Sequence, residues 1–101
     1  RRKFQELLRR FPTSQLADDA QYWIGETYYL EKRYDKAILE YDKVVINYAK
    51  GDKVPGALLK QGFAFLALGD KASAKQLLNQ LVGEHPDSDE AKTARSRLLN
   101  L

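Results

Sequence analysis

The chain repeats itself with a period of 37 residues. Gly25 returns as Gly62 (62 − 25 = 37), and Ala37 returns at the same distance as Ala74. Large side chains keep the same spacing, in the pairs Tyr28 and Phe65, and Tyr41 and Leu78. A fixed period in this range is typical of stacked helical hairpins, each of which buries its apolar face only against its neighbours. Such arrays mostly bind other proteins, so the period favours an interaction module over an enzyme.

Composition narrows the possible classes of protein and of partner further. A chain of 101 residues with 44% apolar and 31% charged residues forms one small domain with an ordinary balance. The net charge is only +3, and the dense basic residues are confined to Arg1-Arg2-Lys3 and Arg9-Arg10. Because such runs usually form the solvated face of a helix, nucleic acid is not the expected partner. Without Cys or Met there is no disulfide or sulfur-ligated metal, and no apolar run is long enough to insert into a membrane.

Hydrophobic periodicity predicts an all-α chain. From Tyr34 to Tyr48, apolar residues recur at i, i+3, i+4 and i+7, which is the pattern of an amphipathic helix. Pro12 stops the preceding pattern, while Ser14 and Ser88 suit the first turns of later helices. We expect helices near 2–11, 15–32, 34–48, 54–68, 71–85 and 88–100.

The phase of the period assigns each helix to the first position (A) or the second position (B) of a hairpin. Aligned residues mark B helices at Phe4, Tyr41 and Leu78, and A helices at Ala20, Ala57 and Ala94. The order is therefore B, A–B, A–B, A, with two complete hairpins flanked by half-repeats. From its length, we expect the chain to form a single domain over residues 1–101. Because it opens directly in a helical pattern without an initiator Met, we expect it to be a fragment of a longer protein.

The spacing of small and large residues resembles the tetratricopeptide repeat (TPR), an α–α superhelix. The family pattern appears as Ile24-Gly25-x-x-Tyr28 with Ala37-x-x-x-Tyr41, and again as Gln61-Gly62-x-x-Phe65 with Ala74-x-x-x-Leu78. Gly and Ala have almost no side chain, so helices A and B can approach closely while larger residues fill the space beside them. The predicted repeat-packing residues are Gly25, Tyr28, Ala37, Tyr41, Gly62, Phe65, Ala74 and Leu78.

Longer tracts resemble the C-terminal TPR domain of the Tol-Pal system family YbgF, also called CpoB. The tracts are Ala17–Tyr29, Lys53–Gly62 and Pro86–Leu98, while Gly56 and Ala49-Lys50-Gly51 depart from the family's usual residues. The resemblance implies a periplasmic protein of the bacterial cell envelope. It would bind TolA and help couple outer-membrane constriction to septal peptidoglycan synthesis during division. A second resemblance, to the TPR lipoprotein BamD of the outer-membrane β-barrel assembly machine, implies the same compartment.

In the TPR family the A helices line a concave surface. By that resemblance, the residue three places before the conserved Gly and those one, four and five places after it face the groove. They are Tyr22, Glu26, Tyr29 and Leu30 in the first copy and Leu59, Phe63, Leu66 and Ala67 in the second. Exposed rings and apolar side chains there can anchor a partner helix or strand. The alternative is that the following helix covers some of them. The Lys and Asn clamp of chaperone-binding TPR domains has no counterpart among these residues.

No group of residues predicts catalysis, a metal site or a cofactor. His85, the only His, stands where Phe11 and Tyr48 stand in the other copies, so packing explains it better than chemistry. Asp18 and Asp19 are adjacent and are expected to point to different sides of a helix, which makes a poor acid–base pair. Two alternatives stay open besides a groove. They are homo-oligomerisation through apolar repeat ends or a missing N-terminal region, and nucleic-acid binding through the N-terminal arginines.

Overall fold

Six α-helices make up the fold, and it has no strand. A computed structural model describes all residues, 1–101. The helices are α1 (Arg2–Arg10), α2 (Gln15–Leu30), α3 (Tyr34–Asn47), α4 (Val54–Ala67), α5 (Lys71–Glu84) and α6 (Asp89–Leu98). The all-α fold class is therefore confirmed. No helix combines the length and the apolar character that crossing a membrane requires.

Side-chain caps set several of the helix starts. Ser14 accepts a hydrogen bond from the backbone N–H of Ala17 at 3.1 Å, and Ser88 caps α6 in the same way. Asp70 accepts from the backbone N–H of Ser73 at 3.0 Å and so caps α5. These contacts satisfy donors that have no partner within the helix. Five helices begin at the predicted residue, and α6 begins one residue later.

The helix ends lie one or two residues before the predicted ends. In α2 and α4 the cause is a left-handed turn, at Lys32 (φ 60°) and Gly69 (φ 83°). At α2, the N–H of Arg33 donates to the carbonyl of Tyr28 at 2.9 Å, and α4 closes with the equivalent bond. This is the Schellman closure, which satisfies carbonyls of the last turn. The spacing of apolar residues cannot locate these helix ends, because the closing turn is specified by backbone conformation.

The helices stack in chain order, each packing against the next, and α4 also contacts α6. The A helices α2, α4 and α6 therefore lie side by side, with the B helices α1, α3 and α5 behind them. An ion pair from Lys60 of α4 to Glu26 of α2, 3.4 Å long, spans two neighbouring A helices. The array measures 42 × 28 × 17 Å. This arrangement is a stack of helical hairpins in the predicted order B, A–B, A–B, A.

Two glycines allow the helices of each hairpin to meet. A Cβ on Gly25 would lie 2.6 Å from Cδ1 of Tyr41, and a Cβ on Gly62 would lie 2.8 Å from Cδ2 of Leu78. Tyr41 and Leu78 are fully buried. A side chain at either glycine would therefore collide with a residue that has no room to move. The two complete hairpins share this contact one period apart.

The two ends of the array differ from its interior. Helix α1 has no buried residue. Leu99 stands one period after Gly62 (99 − 62 = 37) and is 88% exposed. Because a Leu replaces the glycine, a B helix could not approach α6 as closely as α3 and α5 approach α2 and α4.

Candidate protein-binding groove

The candidate groove is the surface of helices α2 and α4, with α6 at its edge. Five of the predicted groove residues are half-buried: Tyr22, Glu26, Tyr29, Phe63 and Leu66. Tyr22 lies against the start of α4, where a Cβ on Gly56 would be 3.2 Å from its hydroxyl. Lys53 Nζ lies 5.7 Å from the centre of the same ring. Tyr22, Tyr29 and Phe63 pack against the core while part of each ring stays accessible, which is the usual arrangement of an anchoring aromatic.

Two other predicted groove residues have different surroundings. Leu59 is only 9% exposed and belongs to the core cluster that includes Ala91 and Ala94 of α6. The prediction that Leu59 lines an open groove is therefore wrong, because α6 packs against α4 and closes this part of the surface. Leu30 is 80% exposed at the end of α2 and lies outside the core cluster.

Glu26 is the polar centre of the groove. Its Oε1 accepts a hydrogen bond from the Tyr41 hydroxyl at 2.5 Å and lies 3.4 Å from Nζ of Lys60. Tyr41 comes from α3 and Lys60 from α4, so one carboxylate connects three helices. Burial, and then the Glu26 carboxylate, raises the pKa of Tyr41 and of Tyr22 above the ordinary value. Both hydroxyls therefore remain neutral hydrogen-bonding groups at physiological pH.

Cations lie over two of the rings, those of Tyr29 and Phe63. Nζ of Lys60 is 4.7 Å from the centre of the Tyr29 ring. Cζ of Arg97 is 4.6 Å from the centre of the Phe63 ring. Both distances are within the range of an attractive cation–π contact, which at exposed sites contributes roughly 0.5–1 kcal/mol. The candidate groove therefore combines aromatic rings with positive charges that lie against them.

Sequence reasoning missed these cations, although the period carries a signal for them. Trp23, Lys60 and Arg97 stand one period apart (60 − 23 = 37; 97 − 60 = 37). Lys60 and Arg97 each reach back over the preceding A helix, onto Tyr29 and Phe63. Trp23 holds the same position on α2 and is 46% exposed. The 37-residue period therefore aligns these charged and aromatic residues as it aligns the small ones.

A second polar cluster joins the first turn of α2 to the loop before α4. Asp18, Asp19 and Asp52 each place a carboxylate oxygen within 4.8 Å of the others, so the expectation that Asp18 and Asp19 point apart is wrong. The side-chain amide of Gln15 donates to all three, at 3.3 to 3.4 Å. Asp18 is 3% exposed, and its burial, followed by the charges of Asp52 and Asp19, raises its pKa. Since an amide donor already serves all three carboxylates, the cluster ties α2 to this loop.

The largest surface depression lies away from the groove. It has a volume of about 420 Å³ and lies between the α1–α2 loop and the α3–α4 loop. Its lining is mainly polar and includes Ser14, Gln15, Asp18, Tyr48 and Gly51. Sites for small organic ligands are usually lined by apolar and aromatic side chains. This depression therefore lacks the character of such a site.

The stacked hairpins and their open A-helix face define a helical-repeat interaction module. Comparison with family models identifies the repeat: two models of the tetratricopeptide repeat match, over residues 1–52 and residues 56–88. The first match covers more than half of the chain, which therefore belongs to the tetratricopeptide-repeat family. Repeats of this kind serve in general as protein–protein interaction modules. No curated protein matches the chain.

Proposed function

We propose that the chain binds a protein partner in the groove of its A helices. The observation that carries the proposal is that Tyr22, Tyr29 and Phe63, all on A helices, are only partly buried. Large rings that are rigidly backed and partly open bury much apolar area on binding at little entropic cost. Glu26 and Arg97 add charge beside the rings, which supplies orientation and selectivity for a peptide segment.

We also propose that the partner is a TolA-like envelope protein and that the chain acts in the periplasm. The support is the resemblance of Ala17–Tyr29, Lys53–Gly62 and Pro86–Leu98 to the Tol-Pal family, whose members couple outer-membrane constriction to septal peptidoglycan synthesis. An open groove with aromatic anchors suits such a scaffold. The location is tested by fractionating bacteria that express the full-length gene product. Recovery in the cytoplasm would contradict the periplasmic proposal.

Calorimetric titration with purified TolA tests the proposed function. Tyr29→Ala and Phe63→Ala each remove a ring that faces the groove, and we expect each to weaken binding about tenfold, or about 1.4 kcal/mol. Leu39→Ala is the control, because Leu39 is 63% exposed on α3, on the opposite side of the array. The affinity of the Leu39→Ala variant for TolA should equal that of the unchanged chain.

Circular dichroism separates binding from folding in the same variants. The helical signal of Tyr29→Ala and Phe63→Ala should remain near that of the unchanged chain, since both rings are only half-buried. If both variants keep their helicity and bind TolA as tightly as the unchanged chain, the rings of Tyr29 and Phe63 do not contact the partner. Loss of helicity in both would show that the rings serve the core.

A further inference from the structure

Three carboxylates from two separate segments of the chain converge near the start of α2. Asp18 and Asp19 lie in the N-terminal part of that helix, and Asp52 comes from the loop between α3 and α4. One carboxylate oxygen of each lies within 4.8 Å of the others. Two oxygens that are each about 2.4 Å from a shared Ca²⁺ can be at most about 4.8 Å apart, so the three atoms fit one coordination shell. We call these three residues the aspartate cluster.

Asp18 is buried in a way that an ordinary surface carboxylate is not. Its side chain is 3% exposed, and its Oδ1 is buried without a hydrogen-bond partner in the protein. A carboxylate that is removed from water is costly unless it is paired with a positive charge or coordinates a metal. No ion pair of the chain includes a member of the aspartate cluster. The charge of Lys53 acts on Asp18 only from beyond ion-pair distance. The positive partner of Asp18 is therefore not supplied by a side chain.

The side chain of Gln15 lies between the three carboxylates. Its Nε2 donates to Asp18, Asp19 and Asp52 at 3.4, 3.3 and 3.3 Å, which is long for a hydrogen bond. An amide nitrogen has two protons for these three acceptors, so at least one carboxylate receives no hydrogen of its own. A divalent cation between the carboxylates would balance their charge more fully. A half-turn of the Gln15 amide would then present its carbonyl oxygen as a further ligand.

The backbone of the α3–α4 loop passes close to the buried carboxylate. A Cβ on Gly51 would lie 2.1 Å from Oδ2 of Asp18, so the carboxylate occupies space that any other residue at position 51 would fill. Gln15, Asp18 and Gly51 all line the polar depression of about 420 Å³. Water in that depression can complete the shell of a cation, because Ca²⁺ accepts water beside carboxylate and amide oxygens. Lys50 also lines the depression, but its side chain is exposed.

The period shows that the aspartate cluster is particular to this junction of the array. One period on, the two aspartates of α2 are replaced by Pro55 and Gly56 (55 − 18 = 37; 56 − 19 = 37). Asp52 recurs as Asp89, which is exposed (89 − 52 = 37). The next junction therefore packs without converging carboxylates. Because stacking of the hairpins does not require the cluster, a separate role accounts for it better.

We propose that Asp18, Asp19 and Asp52 bind a divalent cation of the Ca²⁺ type, with the amide oxygen of Gln15 as a further ligand. A donor set made of oxygen alone suits Ca²⁺ rather than the softer metals that prefer imidazole or thiolate. Mg²⁺ is less suited, because it requires ligands at about 2.0–2.1 Å in a nearly ideal octahedron. The bound cation links α2 to the loop that leads into α4, and so joins the two complete hairpins. This site is independent of the proposed groove.

Calorimetric titration with CaCl₂ tests the proposal on chain that has been dialysed against a chelator, at neutral pH and constant ionic strength. We expect one site with a Kd of about 10⁻⁴–10⁻³ M, because the protein supplies few ligands. Mg²⁺ should bind about tenfold more weakly or worse. No binding of Ca²⁺ up to about 10 mM, tenfold above the weakest expected Kd, would overturn the proposal. Binding of Mg²⁺ as tight as that of Ca²⁺ would overturn the assignment to Ca²⁺.

Asp52→Asn and Asp89→Asn are matched variants, since each removes one exposed carboxylate from the same place in the period. Asp52→Asn should weaken Ca²⁺ binding about tenfold or more, because the charge of the ligands sets the affinity. Asp89→Asn should leave the affinity unchanged. Equal weakening in the two variants, or none in either, would mean that Ca²⁺ senses only the overall charge of the chain, and would overturn the site.

Thermal unfolding and NMR give two further readouts. A ligand that binds only the folded chain raises its melting temperature. About 10 mM CaCl₂, which exceeds the expected Kd, should therefore raise the melting temperature of the unchanged chain and of Asp89→Asn, and have little effect on Asp52→Asn. In the unchanged chain, the backbone amides that shift on addition of CaCl₂ should be those of residues 15–19 and 51–53. Shifts confined to other segments would place the cation elsewhere and overturn the proposal.

Discussion

At the scale of single residues, Gly25 and Gly83 separate close packing from helix propensity. A Cβ on Gly25 would lie 2.6 Å from a ring carbon of the buried Tyr41, whereas a Cβ on Gly83 would meet nothing within 4 Å. Gly25→Ala should therefore lower the free energy of unfolding by about 1–3 kcal/mol through overpacking. Gly83→Ala should raise it by about 0.5–1 kcal/mol, because Ala is the better helix former.

Urea denaturation of the two glycine variants measures both effects in one chain. Opposite signs are expected for Gly25→Ala and Gly83→Ala. Stabilisation by both would mean that Gly25 is present for no steric reason. The close approach of α2 and α3 would then not depend on a missing side chain.

Asp18 gives the fold a dependence on pH that can be isolated. Burial, then the charges of Asp52 and Asp19, raises the pKa of Asp18 above its ordinary value of 3.8. Between pH 3.8 and the higher folded-state pKa, the Asp18 carboxyl is protonated in the folded chain and ionised in the unfolded chain. The contribution of Asp18 to stability therefore falls as pH rises from about 4 through the folded-state pKa.

Asp18→Asn removes this titration. The unfolding free energy of Asp18→Asn minus that of the unchanged chain should increase as pH rises through the window and then level off. Asp87→Asn is the control for the loss of one exposed carboxylate. A difference for Asp18→Asn that shrinks with rising pH would show that the fold favours the charged carboxylate.

At the scale of helices, the two left-handed closures form a natural pair one period apart. Lys32 adopts φ 60° and Gly69 adopts φ 83° in the same position after α2 and α4. A side chain is strained in this conformation, whereas glycine is not. Lys32→Gly should therefore raise the free energy of unfolding by about 0.5–1 kcal/mol.

Gly69→Ala makes the reciprocal test, because no atom lies within 4 Å of a Cβ there and any loss reports backbone strain alone. We expect a loss of about 1 kcal/mol by thermal or urea unfolding. Equal stability of Gly69→Ala and the unchanged chain would mean that the turn relaxes to another conformation. The closure of α4 would then be weaker than its hydrogen bonds indicate.

Sequence predicts elements here better than it predicts contacts between them. The spacing from Gly25 to Gly62 carries the helix order, because a 37-residue period aligns A with A and B with B. The burial of Leu59 was not predictable in the same way, since it depends on how closely α6 approaches α4. The convergence of Asp52 on Asp18 depends on the path of the α3–α4 loop, and loop path has no periodic signal.

At the scale of the whole molecule, the array places its two kinds of surface on different sides. The A helices carry the partly buried rings Tyr22, Tyr29 and Phe63, whereas α3 carries the exposed Leu39 and Ile46, seven residues apart. The position of a residue in the 37-residue period therefore indicates on which side of the array its side chain lies. At one such position α2 has Trp23, whereas α4 has Lys60 and α6 has Arg97.

We propose that the A-helix face is the protein-binding face of this chain. Backbone amide chemical-shift mapping by NMR, during titration with TolA, locates the bound surface. We expect the shifted amides to cluster in α2 and α4, around Tyr29 and Phe63, with little change in α3 and α5. Shifts confined to α1, α3 and α5, or no shifts at saturating concentration, would contradict it.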